Sequence, residues 1–134
     1  MADLPLAVRE GRGWRFNFQD RRLTFVRIDH QTRLQFGQTE VVIETAFELI
    51  DAGRVVNLDP HDRAGLGPIL SMYPDELAEA TADENRVLQL TFVSGKQVTV
   101  PPNESYESWS LVGPGTSLVV CTPGVGGGDL AVWT

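Results

Sequence analysis

The sequence predicts a mainly β fold of the α+β class, with antiparallel meander sheets and one short helix near residues 66–73. Apolar and polar residues alternate with a period of two through most of the chain, which is typical of half-buried strands. The strand-like segments are short and are separated by turn-forming Gly, Asp, Asn and Pro residues. Because most of these turns are too short to hold crossover helices, we expect consecutive strands to pair antiparallel.

Alternation covers several segments of the first half of the chain, with tight turns between them: residues 14–18, 23–28, 33–36 and 41–49. Residues 51–67 are rich in Asp, Gly and Pro, which predicts a long connection around a short strand at residues 55–58. The helix is expected after this connection, because Pro68 suits a first helical turn. Pro74 disfavours helical geometry at Tyr73, so the helix should end there.

A weak internal repeat relates residues 28–44 to residues 82–101. Each copy has an aspartate-led turn, a strand that ends in Phe, a Gly turn and a β-branched strand. Phe36 aligns with Phe92, and we expect both rings to point into the core. The repeat predicts a strand at residues 76–82, whereas helix propensity alone predicts a helix. A duplicated hairpin unit and a chance similarity between two hairpins both fit this pattern.

The last third of the chain is again strand-like. Residues 117–122 form a continuous apolar run, which predicts a central strand and a buried, unreactive Cys121. Residues 124–128 are expected to form a glycine-rich turn, and residues 130–133 a last short strand. The tryptophans lie in strand-like segments and are predicted to be core residues: Trp14, Trp109 and Trp133.

The chain has 134 residues, of which 42% are hydrophobic and 22% charged. This size and balance predict a single domain, residues 1–134, in which residues 1–12 form a loosely ordered N-terminal segment.

No apolar stretch has the length of a membrane helix, and the first residues lack the features of a signal peptide. The single cysteine excludes an internal disulfide, so we expect a cytoplasmic protein.

The charges are distributed unevenly. Eighteen acidic residues against eleven basic residues give a net charge of −7. Residues 1–37 carry seven arginines and four acids, whereas residues 38–134 carry four bases and fourteen acids. Pairing of early arginines with later acids across the sheet is the preferred interpretation of this distribution. The alternative is that the acidic remainder of the chain attracts a basic partner. The negative charge argues against nucleic acid, whose phosphates would be repelled.

No group of residues has the spacing of a known catalytic, cofactor-binding or metal site, so we predict none of these. Asp59, His61 and Asp62 form a candidate metal cluster, but zinc requires further Cys or His ligands. A solvated polar loop is therefore the preferred interpretation of these residues. The glycines of residues 124–128 lack the Lys-Ser/Thr ending of a phosphate loop. Glu107, flanked by aromatic residues, is a candidate general base, although a strand residue that points to water or pairs with an arginine is favoured.

Four different short motifs lie between residue 90 and the end of the chain: Leu90-x-Phe92-x-x-Gly95, Tyr106-Glu-x-Trp109-x-Leu111-x-Gly113, Val120-Cys121-x-Pro123-Gly124 and Leu130-Ala-Val-Trp133. On these motifs the chain resembles an uncharacterised family of small bacterial domains of unknown function. The resemblance implies a self-standing small domain. It carries no activity, cofactor or site residue over to this sequence. The glycine segment before the final motif is longer here than in the family pattern.

We predict a non-enzymatic, β-rich interaction domain that binds a basic protein partner, in the manner of an acidic immunity or accessory protein. No nucleic acid, membrane or cofactor is expected, and an exposed edge strand would allow pairing in a homodimer. One alternative is a small-molecule binding module with a pocket among aromatic residues such as Tyr73, Tyr106 and Trp109. A less favoured alternative is an enzyme that uses the carboxylates of Asp59, Asp62 or Glu107.

Overall fold

The computed structural model describes residues 4–124 and 129–133. Within these residues the strands are, in chain order, β1 (Ala7–Glu10), β2 (Gly13–Phe16), β3 (Phe25–Ile28), β4 (Thr32–Phe36), β5 (Thr39–Ile43), β6 (Phe47–Asp51), β7 (Arg54–Leu58), β8 (Leu77–Ala82), β9 (Leu88–Phe92), β10 (Gln97–Val100), β11 (Trp109–Val112), β12 (Leu118–Val120) and β13 (Ala131–Trp133). A 3-10 helix (Arg63–Leu66) and a short α-helix, α1 (Gly67–Leu70), lie between β7 and β8.

The strands form two antiparallel sheets, which confirms the predicted fold class. One sheet has seven strands in the order β1-β2-β8-β9-β10-β6-β7. The other has six strands in the order β13-β12-β11-β5-β4-β3. Apolar side chains from both sheets meet in one buried core. Alternating residues of β4 and β9 supply part of this core, as the period of two requires.

The helical segment is short, as predicted, but it begins three residues earlier, at Arg63. It ends at Leu70, before Tyr73, and it buries Leu66 and Ile69. No helix within residues 4–124 and 129–133 is long and apolar enough to cross a membrane. Residues 77–82 form β8, so the repeat predicted this segment correctly where helix propensity did not.

The expectation of a loosely ordered N-terminal segment is wrong for residues 7–10, which form β1 and pair with β2. Leu6 and Ala7 are buried against the core, whereas the other residues of β1 are exposed. Because β1 is an edge strand with one buried residue, it has no clear apolar alternation in the sequence.

The two copies of the repeat occupy opposite sheets. The β4–β5 hairpin lies in the six-stranded sheet, and the β9–β10 hairpin lies in the seven-stranded sheet. Phe36 and Phe92 are both buried, as predicted, and their ring centroids are 6.2 Å apart across the core. Leu34 and Leu90 are fully buried on the same faces as the rings. The prediction that both hairpins point the same residues into the core is therefore confirmed.

The repeat extends well beyond the two hairpins. We call β3–β7 the first unit and β8–β12 the second unit. In each sheet the first three strands of one unit are followed by the last two strands of the other, as β3-β4-β5-β11-β12 and as β8-β9-β10-β6-β7. The two units therefore exchange their last hairpins across the core.

The strand register matches between the two units. In one sheet a buried row of cross-strand partners contains Leu34, Val41, Leu111 and Val119. In the other sheet the corresponding row contains Leu90, Val98, Leu49 and Val56. Each row crosses the second and third strands of one unit and the last two strands of the other. Residues of one unit can therefore be matched to residues of the other by counting along the chain from these rows.

The prediction of core tryptophans is confirmed for Trp109, which is 0% exposed, and is wrong for Trp133, which is 53% exposed. Trp133 pairs with Leu118 on the outer face of the edge strand β13, while its neighbour Val132 packs against the core. A shift of one residue along a strand changes the face on which a side chain lies. Trp14 is half-buried, with the guanidinium of Arg9 4.4 Å from its ring centroid.

Candidate functional site

Connections from both sheets meet at one end of the molecule, which we call the groove end: residues 29–31, 44–46, 59–62, 83–87, 101–108 and 121–124. The short connection after β5 carries the chain from one sheet to the other at this end. The backbone N–H of Glu44 donates to the carbonyl of Ser108 at 2.8 Å, and that of Gly124 donates to the carbonyl of Asn103 at 2.8 Å. Backbone hydrogen bonds therefore tie these connections together.

At the groove end the second unit contains a buried arginine. Arg86 is 3% exposed, and its backbone φ of 63° lies in the left-handed region. Its Nη1 donates to the carbonyl of Thr122 at 2.9 Å, and its Nη2 donates to the carbonyl of Gly124 at 2.6 Å. The Nε1 of Trp109 donates to the carbonyl of Arg86 at 3.0 Å. Within the described chain no carboxylate forms an ion pair with Arg86. Carbonyl oxygens accept from both of its Nη atoms, while its buried Nε has no hydrogen-bond partner among the described residues.

Cys121 belongs to the same buried cluster, which confirms its predicted burial. Its Sγ lies 3.8 Å from the carbonyl oxygen of Arg86, to which it donates. Burial raises the pKa of the Cys121 thiol, while the neighbouring Ser108 and the charge of Arg86 act in the opposite direction. The raised pKa favours the neutral thiol, which is a poor nucleophile. That the thiol is unreactive in the native state remains a prediction.

The first unit has an open groove at the matching place. The groove has a volume of about 280 Å³ and is lined by His30, Gln31, Glu44, His61 and Tyr106. Counting from the buried rows, His30 precedes Leu34 by the same four residues by which Arg86 precedes Leu90, and His61 follows Val56 by the same five residues by which Gly124 follows Val119. The groove and the buried arginine thus occupy equivalent positions in the two units.

Aspartate-led turns precede β4 and β9, as the repeat predicted. The backbone N–H of Gln31 donates to Oδ1 of Asp29 at 2.8 Å, and that of Asn85 donates to Oδ1 of Asp83 at 2.9 Å. The hydrogen bond from Gln31, assisted by the charge of Arg33, holds the pKa of Asp29 below its usual value. The carboxylate of Asp29 therefore stays negative beside the groove at any pH near neutrality.

Early arginines pair with acids across the structure, as the charge distribution predicted: Arg9 with Asp129, Arg12 with Glu84, Arg15 with Glu79, and Arg33 with Glu40. These pairs leave a set of carboxylates at the groove end that form no ion pair within the described residues: Glu44, Asp59, Asp62, Glu104 and Glu107. The groove end is consequently an acidic surface.

The other end of the two sheets carries balanced charge. Four bases lie in its turns and connections: Arg21, Arg22, Arg54 and Lys96. Four acids accompany them: Asp20, Asp51, Asp75 and Glu76. Carboxylates without an ion pair among the described residues are thus concentrated at the groove end, although Arg63, which directly follows Asp62, also forms no ion pair among those residues.

The candidate metal cluster is not assembled as such. His61 lines the groove, but the carboxylate of Asp59 accepts a hydrogen bond from the backbone N–H of His61 at 2.9 Å, and the side chain of Asp62 is exposed. In the part of the chain that the structure describes, no three His, Cys, Asp or Glu side chains are arranged to hold a metal ion.

The predicted glycine turn falls largely on residues 125–128, which lie outside the described residues.

The aromatic residues considered for a small-molecule pocket do not meet. Tyr106 lines the groove, whereas Trp109 is buried in the core. Tyr73 is exposed close to the start of β8, at the end of the molecule opposite the groove. Glu107 is exposed at the groove end, as expected, but it lies in the connection before β11 and not in a strand.

Sequence reasoning missed that His30 and His61 lie in the same groove, and that Arg86 is buried. The internal repeat contained a signal that relates His30 to Arg86. The offset that aligns Phe36 with Phe92 also aligns His30 with Arg86. This alignment indicates that the two turns occupy equivalent places, although it does not show that only one of them buries its side chain.

The motifs that carried the family resemblance have a structural explanation, since Trp109 and Cys121 both contact the carbonyl of Arg86. No curated protein and no solved structure matches the chain. A family model matches residues 14–134, which include both units and all of the groove residues. The chain therefore belongs to DUF6188, a family of unknown function.

Proposed function

We propose that this protein is a non-enzymatic interaction domain whose groove end binds a basic segment of a partner protein. The observation that carries the proposal is the concentration of unpaired carboxylates around an open groove. Carboxylates on a surface attract cationic side chains and raise the rate of association with a positively charged partner.

The groove itself has groups that suit a cationic side chain. Its lining residues include the acidic Glu44 and the aromatic Tyr106, which is 41% exposed. A cation positioned over an aromatic face is attracted by the electron-rich ring, and a carboxylate beside it adds a charge-assisted hydrogen bond. Together these two groups favour a lysine or arginine side chain over a neutral one.

Binding of a small molecule is supported less well. The groove is open to solvent, whereas small-molecule pockets are mostly enclosed. A carboxylate enzyme is also less favoured, because Asp59, Asp62 and Glu107 are exposed to solvent. Catalytic carboxylates usually lie in clefts where burial and neighbouring charges alter their protonation.

Fluorescence anisotropy tests the proposal. The probe is a fluorescein-labelled peptide that contains two arginines and one lysine among Gly and Ser residues, and the comparison peptide has glutamates at those positions. The basic peptide should bind and should bind more weakly as salt is added, because salt screens exposed charges. Glu44→Gln should weaken binding about threefold, the size expected for one exposed ion pair.

Glu76→Gln provides the matched control, since it removes the same charge at the opposite end of the molecule. It should leave the affinity of the basic peptide unchanged. The proposal is overturned if the basic peptide fails to bind, if the glutamate peptide binds as tightly, or if Glu76→Gln weakens binding as much as Glu44→Gln does. Thermal melts of both variants establish that each is folded.

A further inference from the structure

We infer, on the basis of the proposed function, that the groove binds the guanidinium of a partner's arginine in preference to the ammonium of a lysine. The template for this preference lies within the chain itself. At the equivalent place in the second unit, the fold holds the guanidinium of Arg86.

In the second unit, the segment that follows the last strand receives the guanidinium. Two nitrogens of Arg86 donate to two carbonyl oxygens, those of Thr122 and Gly124. The acceptors are spaced to match the planar, forked arrangement of the donors, which a single ammonium nitrogen cannot reproduce. This end of the fold thus holds an arginine side chain mainly through backbone acceptors, with the hydroxyl of Thr122 as a further acceptor at 3.4 Å from Nη1.

The matching segment of the first unit has a similar chemistry. Pro60 stands where the second unit has Pro123, so both segments have one backbone angle fixed by a proline ring. The carbonyl of Asp59, the counterpart of Thr122, accepts a hydrogen bond from the backbone N–H of Asp62 at 2.9 Å. A carbonyl oxygen has two lone pairs, so Asp59 retains a position for a second donor.

The groove differs from its counterpart in ways that favour an external arginine. The position of Arg86 is taken by His30, whose side chain is exposed. Glu44 adds a carboxylate, to which a guanidinium can donate two parallel hydrogen bonds. The ring of Tyr106 offers a flat surface on which a planar guanidinium stacks, whereas a lysine ammonium is more strongly hydrated and makes no such stack.

Two fluorescein-labelled peptides test the preference. They have the same Gly/Ser sequence and differ only in carrying three arginines or three lysines. We expect the arginine peptide to bind about tenfold more tightly, which corresponds to about 1.4 kcal/mol. Tyr106→Leu should remove most of this difference, because it removes the stacking surface. Tyr73→Leu is the matched control, since Tyr73 is also exposed but lies at the opposite end, and it should retain the full difference.

The outcomes separate this inference from the proposed function. Equal affinity for both peptides, with both weakened by Glu44→Gln, overturns the arginine preference and leaves the basic-partner function intact. Absence of binding by either peptide overturns both. A preference for arginine that persists unchanged in Tyr106→Leu and in Glu44→Gln shows that it arises outside the groove, and this result also overturns the inference.

Discussion

The two units of the fold have the same strand register but close their ends differently. The second unit buries Arg86, whose guanidinium is held by carbonyl oxygens after β12. The first unit leaves an open groove between His30 and His61. The turn that carries Arg86 is longer, since Asp83 stands five residues before Leu88 whereas Asp29 stands three residues before Thr32. The longer turn contains the left-handed backbone of Arg86.

One strand arrangement is thus closed in two different ways at its two equivalent ends. Where the chain supplies its own guanidinium, the end of the unit is part of the core and contributes to stability. Where it does not, the same end is accessible and acidic. We therefore expect substitutions in the second unit to change stability, and substitutions in the first unit's groove to change binding.

The largest expected effect is on stability and concerns Trp109. This buried indole packs against Phe16 with ring centroids 5.9 Å apart, and it donates to the carbonyl of Arg86. Trp109→Ala should reduce the free energy of unfolding by about 3–5 kcal/mol, because it loses apolar burial and leaves a cavity. Chemical unfolding measures the change. Trp133→Ala, which removes an exposed indole, should cost less than about 1 kcal/mol. Equal losses for the two variants would contradict the assignment of Trp109 to the core.

A smaller effect on stability separates the equivalent residues Arg86 and His30. Arg86→Met keeps most of the apolar stem but leaves the carbonyls of Thr122 and Gly124 without their donor, at an expected cost of about 1–3 kcal/mol. His30→Ala should change the free energy of unfolding by less than about 0.5 kcal/mol, because the side chain is exposed. Thermal melts of both variants check this. Equal destabilisation by His30→Ala and Arg86→Met would contradict the difference between an exposed His30 and a buried Arg86.

Much of the fold could be predicted from the sequence, because the side-chain period of two and the turn residues are local signals. The repeat predicted β8 correctly because that prediction came from a comparison of two segments of the chain and not from helix propensity. Trp133 was assigned to the wrong face because its segment is apolar throughout, so that alternation gave no information on which residues point inward. The strand β1 was missed because only one of its residues is buried.

The site was harder to predict than the fold. His30 and His61 are far apart in the sequence and meet only because the two units exchange their last hairpins. Nothing local in the sequence shows that exchange, since the hairpins themselves are unchanged by it. The burial of Arg86 was equally hidden, because an arginine that follows three polar residues ordinarily lies on the surface.

The groove and the site of Arg86 occupy equivalent positions, and we propose that both receive a guanidinium. The most direct test places an arginine at the equivalent position and measures the affinity of the arginine peptide by fluorescence anisotropy. His30→Arg should weaken binding by about tenfold or more, because the introduced guanidinium competes for the groove. His30→Lys adds the same charge and should weaken binding by only about threefold. Equal affinities for the two variants, or a His30→Arg variant that binds as tightly as the unchanged protein, would contradict the equivalence.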